Sequence, residues 1–183
     1  MIQVRNNKIH AGLPLRGKVL NVYSVTEKTV LSNSELQDIM GATGLMLGQE
    51  PINLRYGKIV LLQDADPDGD SITGLLLNFF YKYWPQLFDM GIIKKYLSPI
   101  IIAKNGKDIK RFYDIRQYNE VRDQYSKYNI SYNKGLGSLS TEEYSMMINN
   151  PVEYTFRVGD VCENSLKVVF GPDARLRKGW LEE

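Results

Sequence analysis

Cysteine is almost absent from this 183-residue chain. Cys162 stands alone, which excludes an internal disulfide and a thiolate metal cage. Histidine is as scarce. His10 is the only one, so histidine-rich zinc sites and histidine pairs are excluded as well. No stretch approaches the ~18 consecutive apolar residues that a membrane-spanning helix needs. Met1-Ile2-Gln3-Val4-Arg5-Asn6 lacks the apolar centre of a secretory signal. There is no internal repeat and no low-complexity tract. These absences lead us to expect a cytoplasmic protein with no membrane partner. The remainder is ordinary for a globular chain. It is 43% apolar and 24% charged, which excludes disorder for most of its length.

The net charge of +2 conceals an uneven distribution. Arg5, Lys8, Arg16, Lys18 and Lys28 face only Glu27 in the first stretch. Asp64, Asp66, Asp68 and Asp70 then crowd together. Lys104, Lys107, Lys110, Arg111 and Arg116 follow, against Asp108 and Asp114. An acidic knot between basic stretches suits a divalent cation beside a polyanion; solvated loops of mixed sign are the plainer alternative.

The periodicities predict a short strand over Arg16–Val22 and a helix over Ser34–Met40, capped by its serine and ended by Gly41. Gly57–Leu62 reads as a strand buried on both faces, hence part of a parallel sheet. Ser71–Met90 reads as a long apolar helix interrupted at Pro85 and closed by Gly91. Asn105-Gly106 predicts a hairpin turn. Arg116–Tyr128 reads as helix, Ile130–Tyr132 as strand, and Ser140 with Glu143 as a capping box. The order of strands and helices gives an α/β class.

The most informative stretch is Ile59-Val-Leu-Leu-Gln-Asp-Ala-Asp-Pro-Asp-Gly-Asp70. A buried strand delivers carboxylates at alternate positions, then a glycine, then a helix. Carboxylates this close repel one another, and a divalent cation relieves that repulsion. With no histidine or cysteine beside them, oxygen ligands favour Mg²⁺, Mn²⁺ or Ca²⁺. Several readings compete. An EF-hand loop would need glutamate where Leu75 stands. A phosphotransferase using the first aspartate as nucleophile would need a second acidic cluster. A site for phosphodiester chemistry fits the strand-end location. A helix N-terminus collecting acids for its dipole accounts for one or two of the four.

Four segments in order carry a resemblance: Leu13-Pro-Leu-Arg-Gly-Lys-Val-Leu-Asn-Val22, Leu54-Arg-Tyr-Gly-Lys-Ile-Val60, Asp64-Ala-Asp-Pro-Asp-Gly69 and Asn133-Lys-Gly-Leu-Gly137. Together they resemble the Toprim region of type IIA DNA topoisomerases. The tail Phe170–Trp180 is similar to the end of the gyrase B-type subunit. The resemblance implies a Toprim fold, a Rossmann-like parallel sheet with flanking helices. It implies an N-terminal segment over 1–12, a Toprim domain over 13–150 and a C-terminal extension over 151–183 that contacts partner subunits. By the same resemblance Asp64 and Asp66 are Mg²⁺ ligands and Asp68 completes or supports the site, unless Asp68 is a helix N-cap. Arg16, Lys18 and Asn21 approach DNA near the cleavage point, with Arg16 and Lys18 supporting catalysis. Lys134 joins the DNA contacts. Arg55 and Lys58 read as packing or salt-bridge residues.

The family's opening strand, Glu-Gly-Asp-Ser-Ala, does not occur in the sequence, nor do an ATPase domain and the strand-breaking tyrosine. The resemblance is therefore to a split enzyme, most like the Toprim-bearing middle subunit of T4-like phage topoisomerases. It implies a hetero-oligomer acting on double-stranded DNA. One partner would supply the glutamate and bind ATP, and another would supply the tyrosine. A stand-alone Mg²⁺-dependent phosphotransferase and a non-catalytic DNA-binding module are the alternatives. The aromatic run Phe79, Phe80, Tyr81, Tyr83 and Trp84 reads as core or subunit interface rather than a base-stacking platform.

Overall fold

The computed structural model describes residues 4–182. Segment 16–22 is not a strand. No β-ladder forms along it, and burial of Val19 and Val22 holds it instead. Helices α1 (Glu27–Ser32) and α2 (Ser34–Thr43) follow. The cap of α2 is Asn33 rather than Ser34, its side chain accepting from the Leu36 N–H at 3.0 Å. The helix runs through Gly41 and stops at Gly44, whose φ of +83° lies in the left-handed region.

The apolar run before the acidic loop forms only a three-residue strand, β1 (Ile59–Leu61). Helix α3 (Pro67–Tyr83) begins four residues earlier than its apolar pattern suggests, because Pro67 can occupy the first turn. Pro85 then breaks the helical run, and α4 (Gln86–Asp89) resumes it up to Gly91. The strands β2 (Ile93–Tyr96), β3 (Ile101–Asn105) and β4 (Asp108–Phe112) come next. After them come α5 (Ile115–Val121), a 3₁₀ turn over Arg122–Tyr125, β5 (Asn129–Tyr132) and a 3₁₀ turn over Leu136–Ser138. Helix α6 (Thr141–Asn149), β6 (Glu153–Thr155), α7 (Cys162–Phe170) and α8 (Ala174–Glu182) complete the chain.

In place of one large parallel sheet, the described residues build two three-stranded sheets, ordered β1-β2-β6 and β4-β3-β5. The second is antiparallel throughout, pairing Ile101 with both Phe112 and Tyr132. The class is mixed α/β. Its hairpin turns where Asn-Gly leads one to expect, but Asn105 pairs with Asp108. The central residues are therefore Gly106 and Lys107, and only Gly106 has positive φ (+59°), the type II′ pattern.

The chain divides into two compact units made of interleaved stretches. The hairpin unit comprises residues up to Ala11, Leu62–Asp70 and Lys95–Tyr154. The helical unit comprises Gly12–Leu61, Ser71–Lys94 and Thr155 onward. The main core lies in the helical unit, where Val22, Val30, Leu36, Phe79, Trp84, Leu87 and Ile93 are fully buried. The aromatic run is thus core. The Trp84 indole N–H also donates to the carbonyls of Met46 and Gln49, at 3.3 and 3.2 Å. The hairpin unit buries fewer apolar side chains, chiefly Ile101, Ala103, Tyr118, Leu139 and Met147. Rings add to it: Phe112 meets Tyr118 and Tyr125 edge-on. No helix among the described residues is long and apolar enough to cross a membrane.

Candidate functional site

The acidic loop belongs to the hairpin unit, and each of its aspartates has a different environment. Asp66 precedes Pro67, and its Oδ1 accepts the Gly69 N–H at 2.7 Å, which makes it the N-cap of α3. The capping role considered for Asp68 therefore falls on Asp66, and Asp68 sits exposed in the first helical turn. Asp70 pairs with Lys95 at 2.9 Å. Asp64 lies just before the helix, and its Oδ1 accepts the Leu136 N–H at 2.6 Å.

That bond brings the acidic loop to the Asn133–Ser138 loop, where Lys134 is exposed. The approach is close. A β-carbon on Gly135 would stand 2.7 Å from the Asp64 Cγ. A β-carbon on Gly69 would collide with the Asp64 carbonyl oxygen. Two glycines therefore let backbone close around this one aspartate. Tyr144, on α6, also senses the site. Burial pushes its hydroxyl pKa up, and the Asp64 charge pushes it further.

Asp64 and Asp66 form a pair of hard oxygen donors, each with one oxygen engaged by a backbone N–H. A carboxylate has two oxygens and several lone pairs, so both keep capacity for a cation. Among the described residues, no three His, Cys, Asp or Glu side chains converge to hold a metal ion. The expected trio is not gathered as one set, since Asp66 is turned onto its helix and Asp68 lies within it. The donor chemistry fits a divalent cation, with further ligands needed beyond these side chains.

The other expected residues lie in the helical unit. Arg16 and Lys18 are exposed, and the Arg16 N–H donates to Glu35 Oε1 at 3.1 Å. Asn21 is fastened to its own unit. Its Nδ2 donates to the Phe170 carbonyl at 2.8 Å, and its Oδ1 accepts from the Asn78 amide at 3.1 Å and from the Tyr23 N–H. Asn78 is buried in α3, and a β-carbon on Gly74 would press 2.9 Å from the Phe170 ring.

No family model matches the sequence. The mitochondrial DNA topoisomerase 2 of Dictyostelium discoideum is 34% identical over 185 residues, covering 93% of this chain and 14% of that protein. DNA topoisomerase 2-beta of Gallus gallus is 36% identical over 139 residues, covering 71% of this chain and 8% of that protein. The crystal structure of the DNA-binding, cleavage and re-ligation domain of Plasmodium falciparum topoisomerase II superposes with a TM-score of 0.82 at 30% identity. The chain is homologous to part of the type II DNA topoisomerases. That superposition covers 92% of this chain and 24% of the Plasmodium chain, so the topoisomerase-like segment spans less than a quarter of each relative.

Within this topoisomerase-like segment, the sequence marks Asn133–Gly137 as one of the four resembling segments, with Lys134 expected at DNA. It does not connect that loop to Asp64. Nor does it mark Glu35, Asn78 or Tyr144, whose spacing carries no motif.

Proposed function

We propose that this chain is the cation-binding and DNA-contacting part of a type II DNA topoisomerase, acting in a complex that cleaves and rejoins both strands of a duplex. The reading rests on one coincidence. The chain superposes on a DNA-binding, cleavage and re-ligation domain, and it presents two carboxylates held by backbone at the end of β1.

Asp64 and Asp66 would hold Mg²⁺, with Mn²⁺ or Ca²⁺ able to substitute, and Asp68 would support the site from the first turn of α3. When bound, Mg²⁺ supplies positive charge to the oxygen expelled from a DNA phosphodiester. The chain's own residues bind and orient. Arg16 and Lys18 neutralise backbone phosphates, positioning the duplex without reading its sequence. Asn21 holds their segment to α3 and to the end of α7, so its contribution is to place that segment beside DNA. Lys134 offers a further cation on the loop that touches Asp64. The attacking tyrosine, the acid/base glutamate and the ATP site would come from partner chains, as in the split enzymes of T4-like phages.

The test is isolation of the tagged chain with its partners, followed by a plasmid cleavage assay on the recovered complex. The expected result is co-purification of a tyrosine-bearing and an ATPase chain, with Mg²⁺-dependent double-strand breaks. Phosphate release by the chain alone, with no partner, would sink the proposal. Lys18→Ala should weaken DNA binding about equally for all sequences and lower the slope of log K against log[salt] by roughly 1.

A further inference from the structure

The loop between β5 and α6 is stiff for an exposed connection. The Asn133 N–H donates to the Ile100 carbonyl at 2.7 Å. The Ser138 hydroxyl and N–H both donate to the Gly135 carbonyl, at 2.6 and 3.1 Å. Leu139 is buried immediately afterwards. The Leu136 N–H is therefore presented from a braced turn. As the first residue of a 3₁₀ turn, Leu136 has no use for that N–H within the turn itself. It meets the Asp64 carboxylate in a short, charge-assisted bond.

Gly135 is what permits the contact. Its backbone is extended, with φ −176°, a conformation any residue adopts. Glycine is not required here for backbone freedom. The requirement is steric, because a β-carbon would lie 2.7–3.0 Å from all three carboxyl atoms of Asp64. Gly137, two residues on, has nothing within 4 Å of its β-carbon position.

We propose that Gly135 and the Leu136 N–H are positioning elements for Asp64, and that they set the affinity of the Asp64–Asp66 pair for a divalent cation. A carboxylate on two rotatable bonds loses conformational freedom on binding a cation. Backbone contacts on the Asp64 carboxyl and carbonyl remove that freedom beforehand, as outer partners do for metal ligands generally. The inference rests on the cation reading above and adds two residues that act through Asp64.

The test compares Gly135→Ala, Gly137→Ala and Leu136→Pro in the full chain. Proline removes the donor together with the leucine side chain, and the extended residue before it tolerates the ring. Two measurements are made. Without metal, hydrogen exchange at the Leu136 amide should rise about 10- to 100-fold in G135A and stay at the wild-type rate in G137A. In a Mn²⁺ titration followed by calorimetry, G135A and L136P should each bind about 10- to 100-fold more weakly, with G137A unchanged. Wild-type Mn²⁺ affinity in both G135A and L136P would overturn the inference, as would equal losses in G135A and G137A. Absence of Mn²⁺ binding by the wild-type chain would remove the cation reading and this inference with it. The exchange experiment would then still report whether the Asp64 contact exists.

Discussion

In the helical unit Phe79, Trp84, Leu87 and Ile93 are wholly buried in one cluster, to which α3 contributes Leu75, Leu76, Phe79 and Phe80. Among the described residues of the hairpin unit no comparable cluster forms. Its parts are joined by the β4-β3-β5 ladder, edge-on tyrosine and phenylalanine rings, and a two-point Arg111–Glu143 ion pair at 2.7 and 2.9 Å. The Leu136 N–H bond to Asp64 is of the same kind. Burial is non-directional and tolerates small displacements, whereas a hydrogen bond weakens steeply with angle. The unit that carries the candidate cation ligands is thus the one whose contacts fix direction.

The largest effect should come from breaking the apolar side of that contrast. Trp84→Ala removes a buried indole and frees two carbonyls, at a cost of about 3–5 kcal/mol, read as a lower midpoint of urea unfolding. An equally large loss from any single exposed residue would erase the contrast. Next is Asp64→Asn, which keeps an oxygen for the Leu136 N–H but removes the charge. Cleavage by the complex should fall at least about 100-fold with the melting temperature unchanged. Parallel loss of stability would mean that Asp64 serves structure only. Arg111→Ala leaves Glu143, half-buried at the start of α6, without its partner, and should cost about 2 kcal/mol in the same unfolding experiment. Gly106→Ala should be the mildest, about 1 kcal/mol, because the positive φ of the hairpin turn disfavours a β-carbon. Its effect should appear first in hydrogen exchange of the β3–β4 ladder.

Much of the fold was legible where the deciding atoms lie within a few residues. Ser140 caps α6 through the Glu143 N–H, as the spacing suggests. Yet the Glu143 carboxylate turns to Arg111 rather than back to the cap, because a charged partner on β4 outcompetes a backbone N–H. Pro85 interrupts the helical run and Gly91 closes it, as expected. The strand expected at residues 16–22 failed for the converse reason. A strand needs a neighbour, and apolar alternation alone does not supply one.

The candidate site divides along the same line. Residue type and local spacing already imply that four aspartates would gather around the start of a helix, that glycines would punctuate the Asn133–Ser138 loop, and that basic residues would precede Asn21. Packing added the rest: Asp66 caps α3, Asn21 is tied to Asn78 and Phe170, and Gly135 closes on Asp64. Leu136 and Asp64 are separated by 72 positions in the chain. Local propensity reaches only a turn or two, and a contact across that distance exists only once packing has brought the two loops together.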